Sequence, residues 1–210
     1  MEQAVVTRQD ITGVILAGGE GRRLGGVDKG LQELRGRPMV QWVLERLAPQ
    51  VDTVLISANR NLQRYAAFGC PVLPDRTPGF AGPLAGPLAG LHAALTQAAT
   101  PLVATVPCDS PFLPADLVQR LHARLVADKA ELAVARAGDR VHRVFCLARR
   151  ELLPGLDAFL AAGERRVGLW HASLSVAEVD FDDELDAFTN INTPEQLAGC
   201  RPPPSPSRDS

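Results

Sequence analysis

A glycine-rich segment near the amino terminus combines backbone freedom with positive charge. In LAGGEGRRLGGVDKG, residues 16–30, three glycines are followed by two arginines and a lysine: Gly18, Gly19, Gly21, Arg22, Arg23 and Lys29. Glycine lets a backbone come close to a ligand, and successive N–H groups in such a loop can form an anion-binding nest. Arginine forks and a lysine charge suit phosphate oxygens. The segment predicts a polyphosphate site, with a flexible loop of solvated arginines as the alternative.

The spacing of this loop excludes two familiar phosphate-binding motifs. A dinucleotide fingerprint needs G-x-G-x-x-G, and Leu24 stands where the third glycine would follow Gly19 and Gly21. A Walker A loop needs glycine before its lysine and a hydroxyl after it, whereas Lys29 stands between an aspartate and a glycine. The loop is therefore neither a Rossmann dehydrogenase loop nor a P-loop.

Two further segments carry polar groups at positions suited to ligand binding. Asp109 follows an apolar run in PCDSP, and one or two carboxylates with substrate phosphates commonly hold Mg²⁺. The residues alone leave two interpretations of Asp109 open, a metal ligand or a cap of the next helix. Asn190 and Asn192 alternate in NIN, which puts both amides on one face of an extended segment. An Asx turn leading into Thr193 is the alternative.

The elements that must position these groups follow from hydrophobic periodicity. Strands are predicted at ITGVILA, VDTVLISAN, CPVLPD, PLVATVPCD, ELAVARA, RVFCLA and LSVAEVDF. Helices are predicted at PMVQWVLERLA, NLQRYAAF, LAGLHAALTQAA, PADLVQRLHARLVAD, RELLPGLDAFLAAG and TPEQLAG. This alternation favours an α/β fold with a mainly parallel sheet. Ligands bind beyond the carboxyl ends of such strands, so the loops after Ala17, Ser57, Leu73 and Pro107 are predicted to form the site.

Length and composition set the domain organisation and exclude several classes of protein. The 210 residues indicate one domain over 1–200, with halves at 11–110 and 111–200, and a Pro/Ser-rich disordered tail at 201–210. A net charge of −2 provides no basic field for nucleic acid. We expect no secretory signal and no membrane span, because no apolar run approaches the roughly 20 residues that cross a bilayer. Four widely spaced cysteines predict reduced thiols in a cytoplasm.

Seven segments, in order along the chain, resemble the molybdenum cofactor guanylyltransferases. They are LAGGEGRRLGGVDKGL, SANR, PD at 74–75, GPLAG at 82–86, PCDSPFLP at 107–114, GERRV at 163–167 and FTNINTPEQL at 188–197. Related cytidylyltransferases have loops like the first, and the closing NINTPEQL makes the combination specific. The resemblance implies a nucleotidyltransferase (nucleotide-diphospho-sugar transferase-like) fold, in which helices flank a Rossmann-like, mainly parallel sheet.

The reaction that the resemblance implies is transfer of GMP from GTP to the terminal phosphate of molybdenum-bound molybdopterin, with release of pyrophosphate. Mg²⁺ is the implied cofactor, and Asp109 is its implied ligand. Lys29 is expected to balance charge on the transferring phosphates, and Arg23 to contact phosphate or pterin. Arg23, Lys29 and Asp109 are the predicted catalytic residues. For Lys29 and for Arg23, an ion pair with Asp28 or Glu33 is the alternative role.

The implied GTP-binding residues lie at strand ends or beside the expected nucleotide. They are Leu16, Ala17, Gly18, Gly19, Lys29, Ser57, Asn59, Asp75, Gly82, Pro83, Leu84 and Asp109. Cytidine-using relatives tend to have LAAG where this chain has LAGG, and the missing methyl group at Gly18 leaves room for guanine. Some relatives have asparagine where Ser57 stands. Turn roles are the alternatives for Asn59 and Asp75, and a helix-entry turn is the alternative for residues 82–84.

Molybdopterin is expected to contact Arg23, Asn190 and Asn192, because amides match the mixed donors and acceptors of a pterin edge. These contacts make 111–200 the pterin-side half. His142 and Arg143 stand where the family more often has His-Pro. Three other histidines are interpreted as structural, without acidic partners: His92, His122 and His171.

The functional alternatives to guanylyl transfer differ in substrate or in having no turnover. One is a cytidylyl- or sugar-1-phosphate nucleotidyltransferase of the same fold, and another is a non-catalytic nucleotide-binding chaperone for a molybdoenzyme. Expected partners are GTP and molybdenum-bound molybdopterin as substrates and, transiently, molybdoenzymes or their chaperones. Neither nucleic acid nor a membrane is an expected partner.

Overall fold

A computed structural model describes residues 8–18, 28–74 and 86–191 of the chain. The strands in these ranges are β1 Ile11–Leu16, β2 Glu33–Leu34, β3 Arg37–Pro38, β4 Thr53–Ser57, β5 Val72–Leu73, β6 Leu102–Pro107, β7 Leu132–Ala137, β8 Arg140–Arg149 and β9 Val176–Asp180. The helices are α1 Met39–Leu47, α2 Leu62–Ala66, α3 Gly86–Gln97, α4 Leu117–Ala127, α5 Leu153–Ala161 and α6 Val167–Ala172. Short 3₁₀ segments cover Arg8–Asp10, Lys29–Leu31, Ala48–Gln50, Arg150–Leu152 and Asp182–Phe188.

Seven strands form one sheet, in the order β5-β4-β1-β6-β8-β7-β9. β1 pairs in parallel with β4 on one side and β6 on the other, and β4–β5 and β7–β9 are also parallel. β8 runs antiparallel between β6 and β7. The predicted α/β fold with a mainly parallel sheet is therefore confirmed, and strands from the two predicted halves share this sheet.

Apolar stripes on the helices bury both faces of the sheet. On one face, α1 contributes Val40, Val43 and Leu47, all fully buried, and α4 packs beside it through Leu117 and Leu121. Full burial of such a side chain contributes about 1.5–3 kcal/mol. On the other face, helices α3, α5 and α6 cover a second apolar cluster. The result is three layers, helices–sheet–helices, with β1 buried at the centre.

Several elements differ from the prediction. Pro38 ends β3, and α1 begins after it at Met39. The hairpin β2–β3 was not predicted because each strand has two residues; Arg35 (φ 54°) and Gly36 (φ 76°) form its turn. Two positive φ values at the centre are typical of a type I′ hairpin turn, which glycine favours. Helix α6 was also not predicted, and the predicted helix TPEQLAG and the tail lie outside the described residues.

None of the helices within 8–18, 28–74 and 86–191 has the length and apolarity to cross a bilayer.

Gly90 of α3 lies where the helix touches the carboxyl ends of β1 and β4. A Cβ at this position would lie 2.6 Å from Leu16 Cδ2 and 2.8 Å from Ser57 Oγ. We expect Gly90→Ala to destabilise the fold by about 1–3 kcal/mol, because overpacking forces these groups apart. The measurement is urea unfolding. Gly155→Ala in α5 is the matched control, since a Cβ there meets nothing within 4 Å. Equal stability of the two variants would contradict the close packing of α3.

Candidate active site

The carboxyl ends of β1 and β6 lie side by side at the centre of the sheet. From β1 the chain passes to β4 on one side, and it later returns to β6 on the other. Such a reversal is the switch point at which open α/β sheets bind ligands. Lys29 follows β1 and Asp109 follows β6, and Lys29 Nζ lies 3.2 Å from Asp109 Oδ2. The structure thus brings two of the three predicted catalytic residues together, the side chains being 29% and 11% exposed.

The position of Lys29 depends on the residues that flank it. Asp28 is buried, and its carboxylate accepts hydrogen bonds from the Tyr65 hydroxyl and from Asn61 Nδ2, the latter at 3.0 Å. Burial, and then the nearby Cys108 and Asp28, raise the pKa of Tyr65, so its hydroxyl stays protonated and donates. We call Asp28, Asn61 and Tyr65 the loop anchor. Asp28 is thereby engaged in the anchor while Lys29 pairs with Asp109.

Gly30 completes this arrangement through its lack of a side chain. A Cβ here would lie 2.6 Å from the Tyr65 hydroxyl oxygen and 3.3 Å from Cys108 Cβ. The chain can therefore pass between α2 and β6 only with glycine at this position. Lys29 is fixed on both sides, by the anchor before it and by the close contact after it.

Asp109 is held by the backbone and by the segment that carries Asn190. The N–H of Cys108 donates to Leu16 O at 3.1 Å, and the N–H of Ile191 donates to Asp109 O at 2.9 Å. The buried Ser110 hydroxyl donates to Asn190 Oδ1 at 2.9 Å. Asn190 therefore lies beside Asp109, while its predicted partner Asn192 falls outside the described residues. Asp109 itself begins no helix, since α4 starts after Asp116.

A small apolar cluster packs around Ile191, in the segment that carries Asn190. Ile191 packs with Leu34 and Met39, and Trp42 and Phe112 cover the group. The unpredicted hairpin β2–β3 supplies Leu34, which explains its place in the architecture. It helps to hold the carboxyl-terminal segment against Asp109.

Cys108 precedes Asp109 in the chain, and its thiol is not suited to nucleophilic chemistry. The side chain is buried, and burial together with the charges of Asp109 and Asp28 raises the pKa of the thiol. A thiolate is the nucleophilic form of cysteine. Cys108 therefore remains a protonated core residue at neutral pH.

The predicted nucleotide residues within the described ranges lie at the ends of β1 and β4. The Ala17 N–H, between Leu16 and Gly18, donates to Ser57 O at 2.8 Å. This hydrogen bond joins the carboxyl end of β1 to that of β4. The Ser57 side chain is buried against α3 at Gly90, whereas Asn59 is exposed in the loop that follows. Their contacts with GTP stay predictions.

The other predicted site residues lie outside the described residues. They are Gly19, Arg23, Asp75, Gly82, Pro83, Leu84 and Asn192. Their assignments to nucleotide, pterin or catalysis also stay predictions.

The donor set at Asp109 fits a hard cation that is shared with substrate phosphates. Asp109 Oδ1 accepts no hydrogen bond from the described residues, whereas Oδ2 faces Lys29. Within those same residues no group of three or more His, Cys, Asp or Glu side chains gathers into a metal cage. Mg²⁺ commonly binds through one or two carboxylates, substrate oxygens and water. A closed structural metal site does not fit this geometry.

The interpretation of His92 was wrong in one respect. Its Nε2 lies 2.5 Å from Asp157 Oδ1, so this histidine does have an acidic partner, on α5. The contact joins α3 to α5 across 65 positions in the chain, which local sequence does not reveal.

Comparison with known proteins decides the family. A family model, the MobA-like NTP transferase domain, matches residues 13–174. A molybdenum cofactor guanylyltransferase of Cupriavidus taiwanensis is 51% identical over 198 residues, covering 92% of this chain and 97% of that protein. The chain belongs to the molybdenum cofactor guanylyltransferase family. A guanylyltransferase of Shewanella loihica is 49% identical over 186 residues, covering 89% of this chain and 93% of its own.

Solved structures agree with the fold of this guanylyltransferase family member. Molybdopterin-guanine dinucleotide biosynthesis protein A of Archaeoglobus fulgidus superposes with a TM-score of 0.72 at 23% identity, covering 89% of this chain and 95% of that one. A 4-diphosphocytidyl-2C-methyl-D-erythritol synthase of Anaerococcus prevotii superposes with a TM-score of 0.65 at 13% identity, with 91% and 96% covered. The predicted nucleotidyltransferase fold is confirmed. Since proteins named for different products share it, the fold alone does not select a nucleotide.

The loop anchor makes a prediction about energetic coupling. We expect Asp28→Asn and Tyr65→Phe each to lower the free energy of unfolding by about 1–3 kcal/mol, because each removes a buried charge-assisted hydrogen bond. The double variant is expected to lose less than the sum, with a coupling of about 1 kcal/mol or more. Urea unfolding of the four proteins measures it. Tyr65→Phe combined with Asp52→Asn, an exposed aspartate, is the control pair. Additive losses at Asp28 and Tyr65 would contradict the anchor.

Proposed function

We propose that this protein transfers GMP from GTP to the terminal phosphate of molybdenum-bound molybdopterin, forming the guanine dinucleotide cofactor and pyrophosphate. Membership of the guanylyltransferase family supports the reaction class. The observation that carries the proposal is the Lys29–Asp109 pair at the switch point, 3.2 Å apart and still open to solvent on Lys29. Opposite charges at this edge suit a reaction that joins two phosphate-bearing substrates.

The main barrier to this reaction is electrostatic. The acceptor phosphate must approach the α-phosphorus of GTP, form a new P–O bond there and displace pyrophosphate, and both reactants are anions. A fixed cation aimed at the developing charge lowers such a barrier, and removal of one such group typically costs about 10²–10³ in rate. Lys29 is one such cation, and we assign Arg23 to the same task.

The acceptor phosphate itself is the nucleophile, so no covalent enzyme intermediate is needed. Among the described residues, the nucleophilic side chains that flank Asp109 are poorly suited to form one: Cys108 stays protonated and buried, and the Ser110 hydroxyl is buried and donates to Asn190. Direct transfer requires the protein only to bind and orient the two substrates.

We propose Mg²⁺ as the cofactor, with Asp109 as its protein ligand. When bound, the ion would neutralise phosphate charge and polarise a phosphoryl oxygen. Asp109 is suited to this role because one carboxylate oxygen faces Lys29 while the other is not engaged by the described residues. The hydrogen bond from the Ile191 N–H to the Asp109 carbonyl oxygen fixes the main chain at Asp109.

The remaining assignments follow from the resemblance to the family and, for the described residues, from their places along the edge. The strand ends at Leu16, Ala17 and Gly18 are proposed to bind the guanine, with Asn59 and Asp75 on guanine or ribose. Asn190, which lies beside Asp109 through its bond from Ser110, is proposed to bind the pterin together with Asn192. This division puts the nucleotide over β1 and β4 and the acceptor towards β6 and β8.

We place the activity in the cytoplasm, with molybdoenzymes or their chaperones as transient recipients of the product. Cys70, Cys108 and Cys146 are free thiols in the described structure, which suits a reducing compartment.

Substrate choice tests the proposal directly. With Mg²⁺ and molybdenum-bound molybdopterin, we expect GTP to support pyrophosphate release and CTP to support little, because Gly18 leaves room for a purine. Removal of Mg²⁺ by a chelator is expected to stop release, and Mg²⁺ added back should restore it. Equal turnover with CTP would contradict the guanine assignment. GTP binding without turnover would instead favour the chaperone function.

A further inference from the structure

Arg143 lies at the ligand edge, one strand across from Asp109. β8 pairs antiparallel with β6, with Thr105 opposite Cys146, and the Thr105 hydroxyl donates to Val144 O at 2.6 Å. β8 bulges against β7 after this pair, since Val134 lies opposite Cys146 and Ala135 lies opposite His142, so Arg143 lies in the bulged segment beyond the last β6 pair, towards the carboxyl end of β6. Arg143 is exposed there. It was not among the predicted binding residues, because the family more often has proline at this position.

The Arg143 side chain lies on α6 beside a narrow cleft. A Cβ at Gly168 of α6 would be 3.5 Å from Arg143 Nε and 3.7 Å from Cζ, so the guanidinium lies against a helix surface that has no side chain. We call the adjoining space the β8–α6 cleft. Its walls include Leu16, Pro87, Thr105, Arg143, Val167 and His171. The cleft is small, with a volume of about 10 Å³, and it lies between Leu16 at the end of β1 and helix α6.

The positive charge of Arg143 has no carboxylate partner among the described residues, and neither has that of Arg140 on the same strand, whereas two arginines on nearby elements are paired. Arg136 pairs with Glu178 and Asp180, and Arg166 pairs with Glu164. Burial, and then Arg143 itself, lower the pKa of His171 to about 4, so this histidine is neutral at pH 7. The charge at the cleft is therefore that of Arg143.

Arg143 has no carboxylate partner among the described residues, and its guanidinium packs on α6. Such an arginine is suited to bind phosphate through two parallel N–H donors. GTP is expected over β1 and β4, and Asp109 on β6 lies between those strands and β8. A phosphate on the β8 side of Asp109 is therefore most simply the acceptor's.

We propose that Arg143 binds the terminal phosphate of the pterin acceptor and so sets the affinity for that substrate. This proposal rests on the proposed function. Arg143 is a binding residue: it holds the nucleophilic phosphate beside Asp109 and takes no part in proton transfer. The role belongs to this chain's own residue at a position where the resembled family more often has no charge.

The test compares Arg143→Gln and Arg143→Lys with Arg140→Gln, an exposed arginine on the same strand. For Arg143→Gln we expect KM for molybdenum-bound molybdopterin to rise about tenfold or more, because a charge-assisted hydrogen bond is lost. KM for GTP and kcat should change less than about threefold. Arg143→Lys should recover part of the loss, and Arg140→Gln should behave as the unchanged protein.

A binding measurement makes the outcome independent of turnover. Calorimetric titration with molybdopterin, which carries the phosphate, should show weaker binding to Arg143→Gln than to the unchanged protein or Arg140→Gln. Equal affinity in all three would overturn the role of Arg143. A rise in KM for GTP alone would assign Arg143 to the triphosphate and overturn the acceptor assignment. Absence of GMP transfer by the unchanged protein would overturn the proposed function, whereas the titration would still decide the role of Arg143.

Discussion

Lys29 and Asp109 come from loops that follow two neighbouring parallel strands, and their charged atoms lie 3.2 Å apart. Each is fixed by contacts that its own loop could not supply alone. The Lys29 loop depends on the carboxylate of Asp28 and on α2, which offers Tyr65 and Asn61. Asp109 depends on the backbone of Ile191, and thus on the apolar cluster that includes the hairpin β2–β3.

The pair itself contributes little to stability. An ion pair that is partly exposed to water is worth about 0–1 kcal/mol, because solvent screens it and two side chains must be ordered. The buried hydrogen bonds of the loop anchor contribute more to stability, since charge-assisted hydrogen bonds are worth about 1.5–3 kcal/mol each. This imbalance is what a site for anionic substrates requires. Lys29 is held close to the carboxylate, yet it can turn to phosphate at little cost in stability.

The sequence could predict the edge at which the site forms but not the contacts that fix it. The strands ITGVILA and PLVATVPCD were evident from their apolar runs, and the parallel arrangement then put Lys29 and Asp109 at one edge. The direction of β8 was not evident, because hydrophobic periodicity carries no information about strand direction. The bonds from Tyr65 to Asp28 and from Ser110 to Asn190 span 37 and 80 positions, so they arise only from tertiary packing. Arg143 was not predicted because the family more often has proline at this position, and its packing against α6, which distinguishes it from other exposed arginines, arises only from tertiary structure.

The central claim is that Lys29 and Asp109 act in catalysis as one unit. Single-turnover GMP transfer by Lys29→Gln, Asp109→Asn and the double variant tests it most directly. Each single change is predicted to slow transfer by about 100-fold or more, and the double variant to be only slightly slower than the worse single. GTP affinity should fall less than the rate, and Asp128→Asn, which removes only a surface pair with Arg124, should leave the rate within about twofold. Transfer by Asp109→Asn at the rate of the unchanged protein, or losses in the double variant that multiply, would contradict the account.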